Sequence, residues 1–117
     1  MKRISMAGGL LIVALTAGCA SSPGELRTDS STSAIRAAEE VGANQVPAAA
    51  LHLQLAKEEL DRAKVLADKG DKDEATSLLP RAEADAELAI LLSRAQSEKA
   101  EAELAMERVR QLRIDNR

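Results

Sequence analysis

The chain has 117 residues, of which 23 are alanine, 16 are leucine and none is aromatic; 30% are charged and the formal charge is −3. That mix favours helix at nearly every position and excludes a β-sandwich or barrel, so any core must be built from small and branched aliphatics. One cysteine and one histidine supply too few nucleophiles, bases and soft ligands for a catalytic constellation, and no ring is available to stack on bases or sugars.

Residues 1–18 read as an export signal. Lys2 and Arg3 form a positive start, Met6 to Leu15 form an apolar stretch too short for a stable membrane span, and Thr16-Ala17-Gly18-Cys19 brings the small residues of a cleavage site. Leu15-Thr16-Ala17-Gly18-Cys19 resembles a bacterial lipobox, although the most frequent pattern has Leu where Thr16 stands. The resemblance implies that Cys19 is lipidated and becomes the mature N-terminus. The other reading is an ordinary secretory signal with an incidental cysteine; a lone thiol in an oxidising compartment is a liability, which favours lipidation. Each buried acyl methylene contributes about 0.8 kcal/mol, and the lipoprotein pattern implies more acyl chains than the pair that suffices for anchoring.

Cleavage ahead of Cys19 removes Lys2 and Arg3, leaving 14 basic against 19 acidic side chains and a charge of −5. An acidic balance argues against nucleic acid as a partner. Residues 19–32 open with Ala20-Ser21-Ser22-Pro23-Gly24 after the cysteine and read as a flexible tether. By resemblance to enterobacterial lipoproteins, in which Asp directly after the cysteine retains the protein in the inner membrane, Ala20 points to the outer membrane, with the chain facing the periplasm.

Residues 33–117 read as one all-α domain: a short helix, an antiparallel hairpin over 45–92 and a helical extension over 93–115. The first helix is predicted from about Ser33 to Val41, with Ala34, Ala37, Ala38 and Val41 on one face and a stop at Gly42. The second is predicted from about Gln45, with Asn44 as its cap and Pro47 in its first turn, to Lys69 before Gly70. Its apolar stripe is Ala49, Leu53, Ala56, Leu60, Ala63 and Ala67. Asp71 then stands as a cap with Glu74 in the capping-box position, making Gly70-Asp71 a tight turn.

The third helix is predicted from Lys72 to about Asp115, roughly 65 Å at 1.5 Å per residue. Pro80 predicts a kink or short break. Ala75, Leu79, Ala82, Ala86 and Ala89 form a stripe that packs back on the second helix, with alanines permitting close approach. A different face then carries Ala84, Leu88, Leu91, Ala95, Glu98, Ala102, Ala105, Val109 and Leu112 at 4-3 heptad spacing. Leu91, Ala95, Ala102, Ala105, Val109 and Leu112 are the candidate partner-binding face, since no remaining segment is long enough to cover them.

Four runs carry a family resemblance: Gly42-Ala43-Asn44-Gln45-Val46-Pro47; the in-register alanines from Ala56 to Ala67; Lys69-Gly70-Asp71-Lys72-Asp73-Glu74-Ala75; and Ala82-Glu83-Ala84-Asp85-Ala86-Glu87-Leu88-Ala89. Over about residues 33–105 the chain resembles the bacterial family called domain of unknown function 4398. It departs from that pattern at Val46, where an aromatic residue is expected, and at Pro80. The resemblance implies an exported protein, often a lipoprotein, and brings no catalytic residues. Some members continue into a peptidoglycan-binding domain of the outer-membrane-protein-A type, which these 117 residues do not include.

Other candidate chemistry has plainer readings. His52 has Leu55 and Ala56 as its same-face helical neighbours, so a partly exposed surface histidine is expected rather than a metal ligand. Glu39-Glu40 and Glu58-Glu59 point about 100° apart on a helix, cannot share a proton, and read as solvated faces. Pairs such as Lys99 with Glu103 are expected to support the distal helix. A tetratricopeptide array is disfavoured, because its roughly 34-residue period is absent.

The sequence therefore predicts a non-enzymatic, lipid-anchored envelope protein that acts as a structural or interaction module through its long helix. It has no cofactor beyond the lipid, no metal and no evident small-molecule substrate. Its partners would be the membrane, through the anchor, and another helix or a weak homo-oligomer. The alternative is an accessory or regulatory subunit of an envelope enzyme or transport assembly. A cell-wall-crosslinked lipoprotein is disfavoured, since those use a terminal Lys and these residues end Asp115-Asn116-Arg117.

Overall fold

The computed structural model describes residues 26–117. Along the chain come α1 (Asp29–Glu40), a 3-10 turn (Ala43–Gln45), α2 (Pro47–Lys69) and α3 (Lys72–Asp115), with no strand among the described residues. α2 and α3 form an antiparallel hairpin, and α1 lies against both.

α1 starts four residues earlier than the sequence predicts, so Asp29, Ser30, Ser31 and Thr32, assigned above to the tether, are helical. A Ser/Thr run has weak helix preference because its hydroxyls compete for backbone groups. Packing overrides that preference here. Ser31 is fully buried and its Oγ donates to the Leu79 carbonyl at 2.9 Å. The buried line is Ser31, Ile35 and Ala38, which rotates the inner face away from the predicted one and leaves Val41 exposed.

Two glycines shape the connections. Gly42 (φ +77°) and Gly70 (φ +92°) both occupy the left-handed region, where a Cβ is strained. At Gly70 the ending is a Schellman motif: the Gly70 amide donates to the Ala67 carbonyl at 3.0 Å and the Asp71 amide to the Leu66 carbonyl at 2.9 Å. These bonds satisfy carbonyls that the end of α2 leaves orphaned. The predicted side-chain caps do not form. Asn44 lies in the 3-10 turn and Val46 takes the N-cap position of α2, with Pro47 as the first helical residue, where its missing amide costs nothing. Asp71 does precede α3, but makes no side-chain cap bond. Glu74 instead accepts from Arg62 at 3.3 Å.

α3 keeps its predicted bounds and runs unbroken through Pro80. The missing Pro80 amide leaves the Thr76 carbonyl without its helical donor, and Thr76 is exposed, so water can take that place. On the inner side, the adjacent Leu79 is buried and its carbonyl is engaged by Ser31.

The core is an alanine seam. Ala49, Ala56 and Ala63 of α2 and Ala75, Ala82, Ala86 and Ala89 of α3 have no exposed surface. Side chains this small let the two axes approach closely. Leu53, Leu60, Leu78, Leu79 and Ile35 fill the space between the alanines. Five members of the predicted α2 stripe are buried and Ala67, at its end, is partly so. All five of the predicted inner stripe of α3 are buried.

Candidate functional site

α3 has 44 residues and its partner α2 has 23. The hairpin contact therefore ends part-way along α3: Ser93 is its last buried residue, and every residue from Arg94 to Arg117 is exposed. Most of the predicted partner-binding face falls there; Leu91 is exposed two residues before Ser93, within the length of α3 that the hairpin contact covers. Leu91, Val109 and Leu112 are 60%, 49% and 55% exposed, and Ala95, Ala102 and Ala105 are exposed beside them.

Leu88 also stands exposed, on the same line as Leu91. That line lies roughly 150° around α3 from the Ala82–Ala86–Ala89 face, at about 100° per residue. α2 and this seam thus occupy nearly opposite sides of one helix.

Sequence reasoning missed part of the exposed apolar surface. Leu104, Met106 and Ile114 are exposed too. Met106 follows Ala105 and widens the stripe, a signal that a strict heptad reading passes over. Near the tip, Met106, Val109 and Ile114 adjoin Arg110, Arg113 and Arg117 around an open concavity. All of them belong to one helix end, so this surface has no opposing wall with which to enclose a small molecule.

The cross-helix polar contacts also stop with the hairpin. Lys57 pairs with Glu39, Arg62 with Glu74 and Arg81 with Glu59. His52 is partly exposed, as expected, and its Nδ1–H donates to Asp85 Oδ1 at 2.8 Å. The reading from its own helix finds no carboxylate; the partner comes from α3. Glu59 departs from the solvated reading: its side chain is only 14% exposed, one oxygen meets Arg81 at 2.8 Å and the other is buried without a hydrogen-bond partner. In the distal segment the expected Lys99–Glu103 pair does not form. Glu107 takes that role, accepting from Arg110 at 3.3 Å and from Gln111 at 2.8 Å.

Cys19 and its flanking Leu15, Thr16, Ala17 and Gly18 lie outside the described residues, as do residues 1–25 in general. Among the described residues no three metal-ligating side chains converge, and no helix is long and apolar enough to cross a membrane.

A family model described as domain of unknown function (DUF4398) matches residues 27–113. The chain belongs to the DUF4398 family. The match runs from just ahead of α1 almost to the tip of α3, wider at both ends than the span carried by the sequence motifs. The projecting end of α3 is thus part of the DUF4398 region rather than an appendage to it. Val46, standing where the resemblance predicts an aromatic residue, is partly buried against the core. No curated protein matches the chain, and no solved structure does.

Proposed function

We propose that this DUF4398 chain is a lipid-anchored, non-enzymatic module of the cell envelope, held through Cys19 at the outer membrane and facing the periplasm. Its projecting end of α3 is a docking surface. The observation that carries the docking role is the mismatch between α2 and α3, which leaves Ala95, Ala102, Ala105, Val109 and Leu112 exposed in line with Leu91. Isolated helices gain little from propensity alone, so an apolar line maintained along an unpartnered helix favours a partner. The export signal and the lipobox pattern support the address.

Two measurements test this reading. Cells fed labelled palmitate should incorporate it into the wild-type protein and not into Cys19→Ser; an unlipidated, soluble wild type overturns the anchor. Hydrogen exchange on the protein in isolated envelopes should show residues 95–112 protected. Rapid exchange throughout that segment overturns the docking role.

A further inference from the structure

Granted the docking role proposed above, we infer that the occupant of this face is a second copy of the chain, lying antiparallel to the first along residues 94–115. The charges flanking the apolar line decide the orientation. One edge carries Arg94, Glu101, Arg108 and Asp115 at intervals of seven residues, the first three each directly preceding a seam position. The other edge carries Lys99, Met106 and Arg113. Within the described residues no ion pair engages Arg94, Glu101, Arg108 or Asp115, so these charges are free to meet a partner.

In an antiparallel pair each edge meets its own counterpart, reversed. The register that sets Ala95 against the second copy's Leu112 also sets Ala102 against the second copy's Ala105. Glu101 then faces the second copy's Arg108, and Arg94 faces the second copy's Asp115; two-fold symmetry repeats both. All four contacts are attractive. Glu98, the one polar seam residue, sits level with the second copy's Val109 instead of with itself.

A parallel pair in register reverses the signs. Arg94 then faces the second copy's Lys99, Arg108 faces the second copy's Arg113, and Glu98 stands opposite Glu98. Like charges in such positions disfavour association.

The lengths agree with the antiparallel arrangement. The free end, residues 94–117, spans about 36 Å, and this register overlaps almost all of it while placing the two hairpins at opposite ends. Because the seam is nearly opposite the face that α2 covers, neither hairpin obstructs the other tail. The seam is rich in alanine and buries little area, so the dimer is weak, with a dissociation constant on the order of micromolar.

Charge reversal tests the orientation. Full-length protein in mild detergent is examined by sedimentation equilibrium at rising detergent, which titrates away chance sharing of micelles. The wild type should show a monomer–dimer equilibrium. Arg108→Glu and Glu101→Arg should each weaken it roughly tenfold, and the double variant E101R/R108E should return it to the wild-type value. Circular dichroism checks that the exposed substitutions leave the fold intact.

A tighter dimer in Arg108→Glu signals the parallel pair and overturns the proposal. So does a monomer whose distal helix binds phosphatidylglycerol vesicles, which makes the occupant a lipid surface. A monomer whose residues 95–112 are protected by a different envelope protein overturns the second copy and leaves the docking role standing. A monomer without protection of that segment in envelopes overturns both.

Discussion

His52 and Asp85, 33 residues apart in sequence, are joined at 2.8 Å across the α2–α3 interface, with side chains 28% and 25% exposed. The contact sits at the edge of a seam in which Ala49, Leu53, Ala86 and Ala89 are buried. It orients the hairpin more than it stabilises it, because partly solvated pairs are weak. A double-mutant cycle of His52→Ala and Asp85→Ala, read by urea unfolding, should give a coupling energy below about 1 kcal/mol. A coupling several times larger would mean that the pair is far better desolvated than its exposure indicates.

The leucines carry more of the hairpin than any polar contact. Leu53 and Leu60 are 3% and 6% exposed, and truncating either to Ala should cost about 2–5 kcal/mol. The opposite change is also unfavourable. Ala56 and Ala82 have no exposed surface, so Ala82→Leu must push the helices apart, at a cost of about 1–3 kcal/mol. Thermal unfolding checks both, and an unchanged midpoint in Ala82→Leu would show that the seam has room to spare.

Two buried serines should respond with opposite signs. Ser31 Oγ is bonded to the Leu79 carbonyl, and Ser31→Ala should destabilise by about 1 kcal/mol. Ser93 Oγ is buried with no partner, so Ser93→Ala removes an unpaired hydroxyl and should stabilise by roughly 1 kcal/mol. Both are read from denaturant midpoints under identical conditions; the same sign for the two would contradict the hydrogen-bond assignment.

Gly70 is required by its backbone and by nothing around it. A Cβ built there meets no atom within 4 Å, yet φ is +92°. Gly70→Ala should therefore cost roughly 1–2 kcal/mol through conformational strain alone. Asn, which tolerates the left-handed region better, should cost less. Equal losses in the two variants would point to crowding instead.

The distal face should separate folding from association. Val109 and Leu112 make no part of the buried core, so V109D/L112D should leave the hairpin's unfolding free energy within about 0.5 kcal/mol of wild type. The same variant should lose any oligomer detected by sedimentation. A fall in hairpin stability comparable to that of Leu53→Ala would show that the tip of α3 supports the core.

The all-α class, the helical hairpin and its two-residue turn follow from local chemistry that the sequence carries openly. Periodic alanines and leucines set the inner stripes from Ala49 to Ala63 and from Ala75 to Ala89, and Gly70 supplies the one backbone conformation that the turn requires. The exposed line from Leu91 to Leu112 is legible for the same reason: a stripe with no matching segment elsewhere among the described residues has none of them to cover it. What needed the tertiary structure were the contacts whose partners lie far away in sequence. The polar run from Thr28 to Thr32 reads as tether until the Ser31 hydroxyl finds Leu79 on another helix. His52 looks unpartnered on α2 until α3 brings Asp85 beside it. Glu74 looks like a cap until Arg62, 12 residues back, competes for its carboxylate. Periodicity is a property of one helix and survives in the sequence, whereas the rotation and register that bring two helices together arise only when their side chains pack.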